Sequence, residues 1–519
     1  MELLRKNIHM DCIKNKTVIQ TTIEDDVNIS DAKPDVTSVL LEKGELVFDE
    51  IKVTQDHVLL RGKLQYAFLY SSVEGERQLY EMKGAIHFEE HVNMDGVRAG
   101  DDVTVSYVME DLSVTLINSR KVSIRSLNSI TLSACSIKDI SVPVEIKDNN
   151  HLEYRHNRIE TLELAVMKKD VFRMKDEIEI PKSLPNIQEI VWDQVSLNWI
   201  DFRMQDGKIG VQGEVNVFFL YEGVGDGGPL RYYENMHSFS SSIPCSEAKE
   251  GMIPLISHKV SGKEISVRED YDGEERIVGI DMNIDLDIKA YEEIKTGMIS
   301  DIYGVSHDVL CTVSNVNFKN LVTRNTLKQR MVERMRVAGE DNRIMQILHS
   351  RGEVIVDEME VVEDGIRVEG SVGVFILYIS NDDNDAYRTI RGNIPFSYVI
   401  DAVGITPECS FDVVPSVEQI NVMMVDSEQV DVKLVLSFLT TVFKYKEADV
   451  IEELDMKELD IKTVNELPGM VIYVVKEGDT LWQIGKKYYV PVERIKELNG
   501  LTTDEIMPGD KLLIVKEFV

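Results

Sequence analysis

At 519 residues, with 43% apolar and 29% charged side chains, the chain is too long for a single core and too apolar for disorder. A typical domain of about 150 residues implies three or four units. The formal net charge of −34 repels phosphate backbones and anionic lipid, which argues against nucleic acid or a membrane surface as partner.

From the start of the chain, MELLRKNIHMDCIKNK holds no continuous apolar run of the kind a secretory signal needs. No later stretch approaches the roughly 20 apolar residues of a membrane span. The expectation is a protein that stays in the cytosol. Cys12, Cys135, Cys245, Cys311 and Cys409 are odd in number, scattered and without a CxxC pair. They fit buried, reduced thiols rather than a disulfide framework or a zinc knuckle.

The long amino-terminal part repeats itself. GKLQYAFLY (Gly62 to Tyr70), GEVNVFFLY (Gly213 to Tyr221) and GSVGVFILY (Gly370 to Tyr378) share one frame, and Phe88, Phe239 and Phe396 follow each tyrosine at the same distance. Pro34, Pro185 and Asn342 stand at matching places upstream, each followed by an apolar pair: Val36/Val39, Ile187/Ile190 and Ile344/Ile347. A period near 150 residues is too long for a solenoid repeat and suits whole domains.

Within a unit, VGIDMNIDLDI (Val278 to Ile288) alternates apolar and polar residues like a half-buried strand. VDVKLVLSFLTTV (Val430 to Val442) begins the same way and then turns apolar, as if covered on both faces. The spaced apolar pairs after Pro34 and Pro185 predict one short helix at each domain entrance. The fold class expected is mainly β: three related β-sandwich or barrel domains in tandem, at 1–150, 151–305 and 306–446. The repeated framework over residues 20 to 445 resembles the SPOCS domain of spore-coat-associated proteins.

Two stretches imitate metal sites. HFEEH (His87 to His91) fits the H-x-x-E-H pattern of inverted zinc peptidases, which requires a helix to bring both imidazoles to one metal. Phe88 ties the segment to a strand, where the two histidines stand roughly 13 Å apart. Asp281, Asn283, Asp285 and Asp287 imitate a calcium loop, yet Leu286 occupies the place of the turn glycine and the carboxylates alternate with apolar residues. No nucleophile elbow, phosphate loop or dinucleotide fingerprint is present, so neither cofactor, metal nor catalysis is expected.

From Lys446 the text becomes KEADVIEELDMKELDIKTVNEL, and residues 447–469 are expected to form an acidic connector ending at Pro468-Gly469, with an edge segment of the third domain as the alternative. Beyond it, Val471 to Val475 reads as a strand. Thr480 with Gln483 forms a capping box for a helix carrying Leu481, Ile484 and Tyr488. Pro491 opens a second helix that Asn499-Gly500 ends, and KLLIV (Lys511 to Val515) closes with a strand.

This small C-terminal βααβ unit, residues 470–516, resembles a LysM module through Tyr473, Gly478-Asp479-Thr480-Leu481, Ile484, Leu498-Asn499 and Gly509. Gly485 and Asp510 depart from the usual alanine and glutamine. The resemblance places a binding groove between Gly478, Asp479, Thr480, Leu481 and Trp482 on one wall and Ile506, Met507, Pro508 and Gly509 on the other. Leu481 doubles as a core position. Trp482, out of phase with the core, is the expected exposed anchor.

LysM modules commonly take N-acetylglucosamine chains, but a chain kept in the cytosol does not meet wall glycan. Three SPOCS-like domains followed by LysM resemble spore coat morphogenetic proteins of the SipL type. That resemblance implies a non-enzymatic scaffold in the mother-cell cytosol, gathering at the forespore surface or spore coat. Its LysM module would bind the coat-basement ATPase of SpoIVA type, and its repeats other coat proteins. A peptidoglycan binder of cortex or wall is the alternative.

Overall fold

The computed structural model describes residues 2–74, 77–147, 152–225, 230–337, 343–382, 386–458 and 468–516. Each repeat is a sandwich of six antiparallel strands. In domain 1, β1 (Glu2–Asn28), β6 (Lys121–Lys147) and β5 (Asp102–Asn118) form one sheet. β2 (Ser38–Thr54), β3 (His57–Ser71) and β4 (Leu79–Asn93) form the other.

Domain 2 repeats this with β7 (Leu152–Glu179), β12 (Glu275–Gly304) and β11 (Ile253–Glu269) against β8 (Ile187–Gln205), β9 (Lys208–Gly223) and β10 (Arg231–Pro244). Domain 3 repeats it with β13 (His307–Arg336), β18 (Gln429–Glu458) and β17 (Ser410–Met424) against β14 (Ile344–Val362), β15 (Gly365–Ser380) and β16 (Tyr387–Asp401). The choice left open between sandwich and barrel therefore falls to the sandwich, and a separate apolar core fills each one.

The repeated frame has a mechanical meaning. Gly62, Gly213 and Gly370 lie directly opposite Phe88, Phe239 and Phe396 in the neighbouring strand. Each ring lies across its glycine while the next strand's backbone approaches from the other side. At Gly213 a methyl group would stand 2.6 Å from both Phe239 Cζ and the Trp199 carbonyl. The tyrosine ends the frame by donating its hydroxyl to the chain before β2 or β8: Tyr70 to Pro34 O at 3.2 Å, Tyr221 to Pro185 O at 3.3 Å.

Those bonds also explain why no helix forms at the domain entrances, where turns lead straight into strands. The carbonyls a helix would use internally are already taken. Arg276 donates to Pro181 O and Leu184 O at 3.0 and 2.8 Å, and Arg120 does the same for Lys33 O at 2.6 Å. The residue before a proline is also driven towards extended backbone. Asn342, the third equivalent, lies outside the described residues.

The acidic connector is likewise corrected. Glu447 to Glu458 continue β18 and pair with β13 from Asn317 back to His307. Val450 and Ile451 are buried there among residues of all three domains, while Glu452 and Glu453 face solvent. The charge of this segment reflects one wet face of a ribbon. The rest of the expected connector, 459–467, lies outside the described residues.

HFEEH lies within β4, with His91 Nε2 3.1 Å from Glu89 rather than beside His87. The acidic run of β12 alternates with buried Ile280, Met282, Ile284 and Ile288; Asp281 pairs with Lys175, Asp285 accepts from Ser261 and Asp287 from Thr104. All five cysteines are free, with Cys135, Cys245 and Cys409 buried and Cys12 and Cys311 half-buried. None of the described helices is long and apolar enough to cross a membrane.

The three domains close into a ring. Arg77, ahead of β4, pairs with Glu189 and Glu222 of domain 2; His349 and Gln346 on β14 meet Glu234 and Tyr232 on β10; Arg391 on β16 grips Glu42 on β2. Equivalent residues meet on a pseudo-threefold axis: Leu40, Val191 and Leu348, and below them Leu69, Leu220 and Leu377, share one apolar cluster. Between this cluster and the ribbons lies a chamber of about 1870 Å³.

The long strands β1/β6, β7/β12 and β13/β18 extend past the sandwiches as three twisted ribbons. They bend at matching bulges at Lys14, Ala165 and Val322. Just beyond the bulges, the equivalent positions Asp11, Leu162 and Lys319 converge, all nearly excluded from solvent. Lys319 Nζ lies 3.1 Å from Asp11 Oδ1 and 3.2 Å from the Tyr291 hydroxyl, which itself donates to Asp11 Oδ2 at 2.8 Å.

Lys319 Nζ also sits over the rings of Tyr291 and Phe443 at 4.4 and 4.3 Å. Burial pushes the Asp11 carboxyl upward, but Lys319, Lys289 and the Tyr291 hydroxyl outweigh it and hold its pKa below the ordinary value. One ion pair thus joins all three domains.

Removing one partner strands a buried charge, so Asp11→Ala should cost about 3–5 kcal/mol, read as a lower urea midpoint. Because folded Asp11 titrates below its unfolded value, its contribution is present at neutral pH and vanishes as acid protonates the folded group. The variant should therefore lose part of the wild-type decline in stability below about pH 4. In β15, Gly370→Ala collides with the Ile355 carbonyl and should cost about 1–3 kcal/mol. Gly373→Ala, whose nearest neighbour is 3.7 Å away, should leave the midpoint almost unmoved.

Candidate functional site

The C-terminal module follows the expected order: β19 (Met470–Val474), α1 (Leu481–Tyr488), α2 (Val492–Asn499) and β20 (Lys511–Val515), with β19 and β20 antiparallel. Both helices lay apolar faces on the two-stranded sheet, burying Val475, Leu481, Ile484, Val490, Ile495, Leu512 and Ile514. Thr480 caps α1 by accepting from Gln483 N at 3.2 Å, and the Gln483 side chain returns a bond to Thr480 N at 3.1 Å. Asn499 does more than end α2. Its side chain bonds Ile495 O and both backbone groups of Leu513, tying helix to sheet.

The first wall is a turn built around Asp479, whose Oδ2 accepts from Lys476 N at 2.8 Å and the Tyr473 hydroxyl at 2.7 Å. Those two donors hold its carboxyl below the usual range. Gly478 turns the chain at φ +87°, a conformation that disfavours side chains. The second wall is pinned to the same strand end: Gly509 N donates to Val475 O at 2.8 Å and Val475 N to Asp510 O at 2.9 Å. Met507 N donates to Asp510 Oδ2 at 2.8 Å, closing that turn.

Val475 therefore brings both walls together. Gly478, Thr480, Met507, Pro508 and Gly509 are exposed and Asp479 is half-buried; Met507 keeps 73% of its surface. Leu481 is core, and Ile506 backs the second wall from partly inside.

Trp482 goes elsewhere. It is half-buried against domain 2, its Nε1 donating to Asp301 Oδ2 at 2.8 Å and its ring meeting Tyr303 edge to face at 4.8 Å. Lys486, one turn on, places Nζ 2.6 Å from Asp301 Oδ1, and the Tyr303 hydroxyl donates to Val490 O at 3.0 Å. Sequence reasoning missed Asp301 and Tyr303 because the contact joins residues about 180 positions apart and ISDIYG carries no motif. Among the described residues, no group of three or more His, Cys, Asp or Glu is placed to hold a metal ion.

Comparison with known proteins agrees with this division. The SPOCS domain of SipL matches residues 35–117, 186–268 and 343–425, and the LysM domain matches residues 473–515. Each SPOCS match covers the four inner strands of a unit and leaves out the ribbon strands. SpoIVD-associated factor A of Bacillus subtilis (strain 168) is 46% identical over 52 residues, 10% of this chain and 13% of that protein. Probable endopeptidase p60 of Listeria monocytogenes is 50% identical over 44 residues, 8% of this chain and 9% of that protein. Probable peptidoglycan endopeptidase LytE of Bacillus subtilis (strain 168) is 48% identical over 40 residues, 8% and 12%.

The chain thus covers only a small part of these relatives' length, and those with enzyme names share its LysM part alone. No solved structure matches it. SPOCS and LysM domains are non-catalytic binding modules. Its three SPOCS domains and terminal LysM domain place the chain in the SipL family of sporulation proteins.

Proposed function

We propose that this protein is a non-enzymatic scaffold of spore coat assembly. Its LysM groove binds a coat morphogenetic protein and so tethers the coat to the forespore surface from the mother-cell cytosol. The observation that carries the reading is one exposed groove mounted on a closed ring of three SPOCS domains in a single chain. A relative whose name records association with SpoIVD supports a coat protein as partner. The coat-basement ATPase of SpoIVA type is the partner proposed for the groove, and other coat proteins for the SPOCS faces. Several binding surfaces on one body raise the effective concentration of each contact once the first has formed, which suits a polymerised partner.

The contacts assigned are Gly478, Asp479, Thr480, Met507, Pro508 and Gly509, with Leu481 and Ile506 as backing. Met507 is the anchor: a large apolar side chain left exposed at a groove rim gains most when a partner covers it. The second reading, binding to N-acetylglucosamine chains, draws on the peptidoglycan-directed names of the LysM relatives.

Purified full-length protein, tested against a purified ATPase of SpoIVA type and against peptidoglycan sacculi, separates the two. The scaffold reading expects saturable binding to the ATPase, weakened about tenfold or more by Met507→Glu, with sacculi retaining only background. Retention on sacculi that N-acetylglucosamine oligomers displace, with no binding to the ATPase, would establish the glycan reading instead.

A further inference from the structure

We infer that the LysM module is not a freely tethered domain: its Trp482 face is a docking surface for the end of the β7/β12 ribbon, which fixes the module on the ring with its groove outward. This goes beyond the reading above and holds whichever ligand the groove takes.

Four features of the contact point the same way. Trp482 and Lys486 lie one turn apart on α1, so they share a face, and both bond one carboxylate, Asp301. The indole ring is enclosed on the body side by Tyr303 and by the Arg155 guanidinium, 5.8 Å from its centre. Tyr303 is 3% exposed although it lies one residue from the end of β12, and its hydroxyl reaches a carbonyl of the module, Val490 O.

Gly485 completes the fit. A methyl group there would stand 2.7 Å from the Tyr303 hydroxyl and 2.7 Å from Val490 O, so the bare backbone of α1 is what lets the tyrosine approach. An adventitious surface contact does not ordinarily combine a satisfied indole N–H, a shared carboxylate and a side chain-free landing site. The charges also match. Residues 470–516 hold seven basic and seven acidic side chains within a chain of net charge −34, so a neutral module meets an acidic body through Lys486.

The docked face and the groove use different residues. Gly478, Thr480, Met507, Pro508 and Gly509 remain exposed while Trp482, Gly485 and Val490 are covered. Trp482 is therefore a positioning residue. Docking removes the rotational freedom of the module before any partner arrives, and freedom already lost does not weaken binding.

Zero-length carbodiimide coupling of the full chain tests this without any ligand, so its failure is separate from a failure of the proposed function. An equal mixture of ¹⁴N- and ¹⁵N-labelled protein is coupled and digested, and the Lys486–Asp301 linkage is measured against Lys175–Asp281, a 2.8 Å pair inside domain 2. Wild-type protein should give the Lys486 linkage in same-isotope pairs only.

Tyr303→Ala, on the body side, and Trp482→Ala, on the module side, should each lower its yield at least fivefold while the reference linkage stays constant. Should Tyr303→Ala also lose the reference linkage, Trp482→Ala alone decides the matter, because Trp482 lies outside the module core. The inference is overturned by no Lys486–Asp301 linkage in the wild type, by mixed-isotope pairs, or by an unchanged yield in Trp482→Ala.

Discussion

The architecture rests on a charge placed where none of the three domains could keep it alone. Lys319 belongs to domain 3, its counter-ion Asp11 to domain 1, and the hydroxyl that bridges them, Tyr291, to domain 2. Burial, helped by the nearby Lys289 ammonium, draws the Lys319 ammonium below its ordinary pKa, against the pull of Asp11. Separating the domains would leave each ion with a hydrophobic wall and no partner. Such pairs contribute little net stability over an apolar core of the same shape, because desolvation offsets most of the attraction. What they contribute is selectivity. Of the three equivalent positions, one is acidic, one basic and one Leu162, so replacing any domain by a copy of a neighbour would leave a buried charge unmatched. The apolar clusters above and below can then supply burial without having to choose the register.

The same asymmetry recurs at the other end of the axis. Leu41, Trp192 and His349 occupy equivalent positions, and each meets a different neighbour. Lys43 lies over the Trp192 ring at 4.2 Å, while His349 stacks on Phe218 at 4.1 Å and bonds Glu234. Three copies of one sandwich have thus kept the frame that folds each copy and diverged where copies touch. Divergence at the axis is what a ring made from one chain requires, since identical faces would pair equally well between different molecules.

How much of this could be read in the sequence follows the range of the interactions. The frame of glycine, tyrosine and phenylalanine was legible because each member answers to a neighbouring strand or turn, so the same spacing recurs in every copy. The module's capping box and turns were legible for the same local reason. The domain-entrance helices were misjudged because a spaced apolar pair suits a helix as well as an extended segment. What decides between them is Arg276 and Tyr221, distant donors that take the carbonyls. The acidic segment misled because carboxylates such as Glu447, Asp449, Glu452, Glu453 and Asp455 dominate its composition, while the two residues that matter, Val450 and Ile451, meet partners on other ribbons. Trp482 was read as an exposed anchor because it falls out of phase with the module's core, but the surface that half-buries it depends on Asp301, far away in the chain.

That last contact bears on why so small a module can work here. A unit of fewer than fifty residues buries a smaller share of its surface than a full domain, and its stability is correspondingly slight. Its own core is seven buried side chains between two short helices and a two-stranded sheet. Setting α1 against Tyr303 and Asp301 adds burial on the face that sheet and helices leave open, and satisfies the indole N–H at the same time. The ribbon end gains in return, since the module covers Tyr303 just before β12 ends. Stability and orientation then come from one interface, which leaves the groove residues free to be chosen for binding rather than for folding.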